Sequence, residues 1–178
     1  MKKFSAKNFY EFIESIIIAF IAIMILVVFI FRVITVDGNS MEPNFHNSDK
    51  LIISSMFYTP EKGDIVVIDK NTPLGKPIIK RIIATEGDTI KYERSTGDVY
   101  INGTKINEDY INIDNSITNP YEFDVETTVK NGHVFVMGDN RNVSNDSRNS
   151  EIGQINAKNI LGKAVIRIYP FNKVGVIK

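Results

Sequence analysis

The sequence predicts a mainly β domain carried behind one N-terminal transmembrane helix. Two observations predict it: every residue from Ile16 to Phe31 is apolar, and beyond Asp37 the apolar residues recur with period two or in runs too short for helices. A third supports them. Gly, Pro, Asn and Asp cluster between these runs, as in "TPEKGD", "NTPLGKP" and "GDNRN", where strands give way to turns.

The elements follow in chain order. Residues 1–14 carry Lys2, Lys3 and Lys7 ahead of the apolar run, which holds them in the cytoplasm by the positive-inside tendency. With Ser15 and the residues to Val36, the run approaches the roughly 20 needed to cross a bilayer, so 15–36 is the predicted anchor, with Arg32 snorkelling at its edge. The run is longer than a cleavable leader's core and no small-x-small pattern follows it, so it fits an uncleaved single-pass anchor better. Residues 37–178 then form an extracytoplasmic domain. Its predicted strands are "KLIIS" (Lys50 to Ser54), "DIVVI" (Asp64 to Ile68), "IIKRIIA" (Ile78 to Ala84), "HVFVMG" (His133 to Gly138) and "KAVIRIYP" (Lys163 to Pro170). Residues 89–130 are predicted as a β-rich insert, with hairpin turns near Thr96-Gly97 and Asn102-Gly103. One short helix is expected around Glu151 to Asn159.

Composition narrows the chemistry. There are no cysteines and only two histidines, His46 and His133, so a disulfide framework, a thiol nucleophile and a histidine-rich metal site are all excluded or poorly supported. The formal charge is zero. Nothing in it suggests a nucleic-acid partner. Chemistry falls to hydroxyl, amine and carboxylate groups.

Ser40 stands in "GNSMEP", where Gly38 frees the backbone and Pro43 fixes it. Such a loop presents a hydroxyl, although a turn serine would look the same. A serine nucleophile needs a base. Lys80 and Arg81 interrupt an apolar strand, and alternation sends them to opposite faces, so one of the two is expected to point inward. Burial disfavours the charged form of an amine, and a buried lysine can serve as a neutral base. An edge-strand lysine guarding against aggregation is the alternative. The polar loop "GDNRNVSNDSR", Gly138 to Arg148, lacks the glycine and glutamate of a calcium loop. Its Asp139, Arg141, Asp146 and Arg148 are expected to pair among themselves or with Arg81, while Ser144 offers a hydroxyl to aim the amine.

Taken in order, the apolar run, "GNSMEP", "KGDIVVI", "IKRIIATEGD" and "GDNRNVSNDSR" resemble the five successive sequence boxes of bacterial type I signal peptidases. The resemblance implies a signal-peptidase-type β fold and a Ser/Lys dyad, with Ser40 as nucleophile and Lys80 as general base. Ser144 matches the serine that hydrogen-bonds the lysine, and Asp146, Arg148, Asp139 and Arg81 match supporting residues. No metal or cofactor is implied. The Ser40 N–H is the expected oxyanion donor, and a second donor, if the site has one, is expected from the backbone, at Gly38, where some relatives carry a serine. Two other departures are Asn44-Phe45 in place of Thr-Leu and Thr85-Glu86 in place of a proline-bearing segment.

The implied substrates are secretory preproteins, cut after small-x-small sites by a monomer working at the lipid bilayer near the secretion translocon. An extended peptide can add as a strand beside Ser40, with Ile34, Val36, Met41, Phe45 and Ile79 expected to line its pockets. The alternatives are an inactive or single-substrate paralogue and a membrane-anchored binding domain without catalysis. A self-cleaving repressor would need a DNA-binding module and an Ala-Gly bond, which the chain lacks. A Ser-His-Asp hydrolase would need His46 or His133 beside the serine.

Overall fold

The computed structural model describes residues 6–56, 58–73, 75–111 and 124–177. Lys2, Lys3 and residues 112–123 of the expected insert lie outside them. The chain divides into two units, Met1–Arg32 and Val33–Lys178.

The first unit is helix α1, Ala6–Ile30, whose described side chains are exposed almost throughout. Phe20 and Ile23, for example, are 62% and 60% exposed. The helix ends earlier than the expected 15–36 segment. From Phe31 the chain is extended, because Val33, Ile34 and Thr35 are β-favouring residues and Ile34 packs against the core of the domain. Among the described residues no helix is long and apolar enough to cross a membrane. The run read as a span includes Leu26 and Phe29, whose side chains are not among those described.

The second unit is built from two sheets, the first strand of which begins two residues before the unit, at Phe31. Its strands are β1 (Phe31–Thr35), β2 (Lys50–Ser54), β3 (Ile65–Ile68), β4 (Ile78–Thr85), β5 (Thr89–Tyr92), β6 (Val99–Ile101), β7 (Thr104–Lys105), β8 (Val125–Thr128), β9 (His133–Met137), β10 (Ile155–Asn156), β11 (Ile160–Tyr169) and β12 (Gly175–Val176). The larger sheet runs β1-β2-β11-β3-β4-β9-β10, with β12 paired to β11, and the smaller runs β7-β6-β5-β8. The five strands expected from alternation are thus β2, β3, β4, β9 and β11. Asn102 and Gly103 both take positive φ, 52° and 79°, which is the hairpin turn that their Asn-Gly sequence favours.

The expected helix at 151–159 is absent apart from one 3-10 turn, Ala157–Asn159. Gly153 leaves helical geometry at φ +58°, and Ile155 instead pairs with Val134. Tertiary pairing overrides a weak local helix preference.

The segment from β5 to β8 is a sheet of its own but not a detachable one. Ile90, Tyr92, Val99 and Ile101 share a buried cluster with Ile83, Ala84, Phe135 and Met137 of the larger sheet. At about 1.5–3 kcal/mol for each large apolar side chain buried, that shared core binds the two sheets together. A second cluster lies around Val36, Met41, Phe45 and Leu51, and a third around Val66, Ile82 and Val136. Strand β4 therefore has apolar material on both faces. Every residue from Ile79 to Ala84 is buried.

Candidate active site

Burial of both faces of β4 changes what alternation implied for Lys80 and Arg81. One was expected to point inward; both are buried, at 3% and 6% exposure, since separate apolar clusters cover the two faces of this strand. Two buried cations need partners or neutrality. They find different solutions.

Arg81 is paired. Its Nε and Nη2 donate to the two Asp139 oxygens, each at 2.8 Å, and Nη1 donates to Gly63 O at 2.9 Å. Its guanidinium also lies 4.0 Å from the Tyr110 ring centroid, a cation–π distance. Asn44 Nδ2 donates to Asp139 Oδ2 at 2.8 Å and to Tyr110 O. The Asn44 departure thus serves the same buried pair.

Lys80 has no ion pair among the described residues. Val66 stands opposite it on β3, and its Nζ lies 2.8 Å from Ser40 Oγ and 3.0 Å from Ile79 O. Burial lowers its pKa from the ordinary 10.5 to about 8, chiefly by desolvation; Asp146 and Asp139 oppose the shift, while Arg148 and Lys76 add to it. Forty residues separate the serine from the lysine. The loop from Gly38 to Pro43 and strand β4 bring them together.

The loop after β9 frames this pair. Asn140 N donates to Ser40 O at 3.0 Å and Asn140 Nδ2 to Asn39 O at 3.2 Å. Gly138 N donates to Asp146 Oδ2 at 2.9 Å. Arg148 donates to Asp146 through Nε and Nη2, both at 2.9 Å, and both side chains are fully buried. Burial alone would raise the Asp146 pKa, but Arg148, the Gly138 N–H and the Ser144 hydroxyl together bring it below the usual carboxylate value. Gly138 leaves no room for a side chain: a Cβ there would stand 2.3 Å from Ser144 Oγ and 2.5 Å from Ser40 O.

Three expectations fare differently here. Ser144 is buried beside Gly138, where its hydroxyl helps hold Asp146 ionised, while hydrogen bonds of the lysine run to Ser40 and Ile79. The Gly38 N–H donates to Asn47 Oδ1 at 3.0 Å, so it is not free to serve as an oxyanion donor. Arg141, expected to pair within its own polar loop or near Arg81, pairs instead with Glu108 of the smaller sheet's loop. Among the described residues no hydrogen bond joins either histidine to the serine: the His133 ring bonds Asn131 O, and the bonds of His46 run through its backbone.

Ser40 and Lys80 open into a groove of about 610 Å³. Ile34, Val36 and Ile79 line it, together with Val67, Ile78, Leu161 and Asn145. Met41 and Phe45 do not. They are 1% and 2% exposed and belong to the core beneath, because their loop turns inward where the Phe45 N–H meets Met41 O at 2.9 Å. Val67 was legible from alternation once β3 is set opposite Ile79. Leu161 was not, since it reaches the groove through the β11–β3 pairing.

The family profile for signal peptidase, peptidase S26, matches residues 9–169. A signal peptidase I from Bacillus licheniformis is 33% identical over 97% of this chain and 96% of its own length. A signal peptidase I S from Bacillus subtilis (strain 168) is 35% identical over 94% and 93%. A crystal structure of a signal peptidase I from Enterococcus faecalis V583 covers 60% of this chain and 97% of its own, at 31% identity and a TM-score of 0.49. With a family match running from α1 to the end of β11, the chain belongs to the signal peptidase family, peptidase S26.

Proposed function

We propose that this chain is a serine endopeptidase that removes signal peptides from secreted preproteins, with Ser40 as nucleophile and Lys80 as general base. The observation that carries the roles is the 2.8 Å separation of Lys80 Nζ from Ser40 Oγ at the floor of an apolar groove. A neutral Lys80 amine accepts the Ser40 hydroxyl proton as the oxygen attacks the scissile carbonyl. The ammonium then returns that proton to the departing amine, leaving an acyl ester on Ser40. Water attacks the ester with the same amine as base, and the signal peptide leaves with a free carboxylate.

The Ser40 N–H, which has no partner among the described residues, is the first oxyanion donor. Asn140, by fixing Ser40 O, aims that peptide unit. Arg81 with Asp139 and Arg148 with Asp146 support the site without touching substrate. The substrate lies extended in the groove. Ile34, Val36 and Ile79 supply the shallow apolar lining, which suits alanine-sized residues at the first and third positions before the cut. All of these groups come from one chain, in keeping with a working monomer.

The anchor belongs to the same proposal. The apolar run from Ile16 to Phe31 is read as crossing the bilayer, N-terminus in the cytoplasm and domain outside. Anchoring near the translocon raises the local concentration of a substrate held by its own apolar segment. The chain has no cysteine, so Ser5→Cys and Ser150→Cys give clean sites for an impermeant thiol reagent on intact cells; labelling of the first rather than the second would reverse the orientation.

The test of the activity is cleavage of a secretory preprotein in detergent by four proteins. Wild type and His46→Ala are expected to cut, Ser40→Ala and Lys80→Ala to fail. An active Lys80→Ala, or an inactive His46→Ala that remains folded, overturns the dyad.

A further inference from the structure

The loop after β7 reaches into the active-site framework through a buried ion pair. Arg141 sits in the catalytic loop, three residues before Ser144. Its Nη1 and Nη2 donate to the Glu108 carboxylate at 2.8 and 2.5 Å, and the two side chains are 9% and 7% exposed. This is a forked, charge-assisted pair, the geometry that holds a guanidinium in one orientation. In that orientation Arg141 Nε donates to Gly138 O at 3.1 Å, and Arg141 O accepts from Arg148 Nη2 at 3.0 Å.

Both of those bonds lead to the dyad. Gly138 is the residue against which Ser144 Oγ and Ser40 O are packed too closely for any Cβ, and Arg148 is the partner of Asp146. The Glu108 carboxylate is fixed in turn by Tyr110, whose hydroxyl donates to Oε1 at 2.6 Å. Tyr110 also stacks on Arg81 and accepts from Asn44 through its carbonyl. Glu108 and Tyr110 thus touch the catalytic loop and the buried Arg81 without lining the groove around Ser40.

We propose that Glu108 is a positioning residue for the peptidase reaction: through Arg141 it fixes the Gly138 carbonyl, and so the placement of the Ser40 peptide unit and Ser144 relative to Lys80. The inference rests on the dyad reading above. It gives the smaller sheet a role in the chemistry, that of setting the distance and angle at which serine and lysine meet. Groups displaced by fractions of an ångström at a reacting centre lose rate and leave substrate binding nearly unchanged.

The experiment compares wild type, Glu108→Gln, Glu108→Asp and Arg141→Gln on one preprotein, with kcat and KM taken across pH 6 to 10 and the folded fraction read by near-UV circular dichroism. Glu108→Gln keeps the shape but removes the charge. Its kcat per folded molecule is expected to fall about 10- to 100-fold, with KM within about threefold because the groove residues are untouched. The pH at which kcat/KM falls to half is expected to move with it, since the groups that set the amine's charge shift as the loop relaxes. Glu108→Asp is expected to keep an intermediate kcat, and Arg141→Gln to match Glu108→Gln. A purely structural role would lower the folded fraction while each folded molecule kept the wild-type kcat and pH profile; that result overturns the proposal. If Glu108→Gln does not fold, Glu108→Asp decides alone, and an unaltered kcat and pH profile in it is equally fatal. Failure of wild type to cut, or an active Lys80→Ala, would instead remove the dyad.

Discussion

If burial makes Lys80 a base, protonating it must silence the enzyme along a predictable curve. The amine is 3% exposed and titrates at about 8 instead of 10.5. At pH 7 about one molecule in eleven then carries a neutral amine, against about one in three thousand for an ordinary lysine. The lowered pKa therefore gains about 300-fold in competent enzyme. Logarithmic kcat/KM is expected to rise with unit slope up to about pH 8 and then level, so that activity at pH 6 is about one hundredth of the plateau.

The same burial has a cost in stability. A lysine whose folded pKa lies below its unfolded one destabilises the fold wherever both states are charged, here below about pH 8, and the penalty fades as pH rises toward 10.5. The gap corresponds to about 3 kcal/mol. Lys80→Met should accordingly be inactive yet more stable than wild type at pH 7, by up to that amount less the hydrogen bonds it gives up, and the advantage should vanish near pH 10.5. The assays are a pH series of initial rates on a preprotein and urea unfolding at pH 7 and 10.5. A limb centred near 6.5 that shifts in His46→Gln would refute the reasoning, as would Lys80→Met being less stable at pH 7 than at 10.5 relative to wild type.

Other consequences are sharp enough to test together. Gly138→Ala places a methyl 2.3 Å from Ser144 Oγ and 2.5 Å from Ser40 O, so activity should fall about 100-fold while the circular dichroism spectrum is retained; an active Gly138→Ala would mean that this contact does not position the serine. Asp139→Asn leaves the 6%-exposed Arg81 without its countercharge, and unfolding free energy should drop by about 3–5 kcal/mol; a change under 1 kcal/mol in denaturant titrations would contradict a tight buried pair. Phe45→Ala should cost about 3–5 kcal/mol of stability with KM for the preprotein unchanged in the folded enzyme, because Phe45 packs in the core and under the Arg167 guanidinium. Leu161→Ala, by contrast, enlarges the groove and should admit residues larger than alanine before the cut, as read by cleavage-site mass spectrometry.

Much of this protein is written in short-range patterns. Period two marks β2, β3, β4, β9 and β11 because a strand with a covered face must alternate or run apolar, and that need is local. Asn102-Gly103 forms its hairpin because those two residues tolerate positive φ. The Ser40 and Lys80 pair was legible through the resemblance of "GNSMEP" and "IKRIIATEGD" to the family's sequence boxes; the residues alone left a turn serine and an edge-strand lysine open.

What the sequence could not determine depends on which surfaces meet. Alternation says that Lys80 and Arg81 face opposite ways, but only the packing of a second sheet and a loop on β4 buries both. Met41 and Phe45 look like groove residues by their nearness to Ser40, and the turn of the loop sends them into the core. The Gly38 N–H was available in the chain and is taken by Asn47 in the fold. Glu108 and Arg141 are 33 residues apart with no pattern joining them. Apolar spacing is set by each strand's own two faces and can be read along the chain, whereas the partner of a buried charge is set by distances that exist only once the sheets have closed.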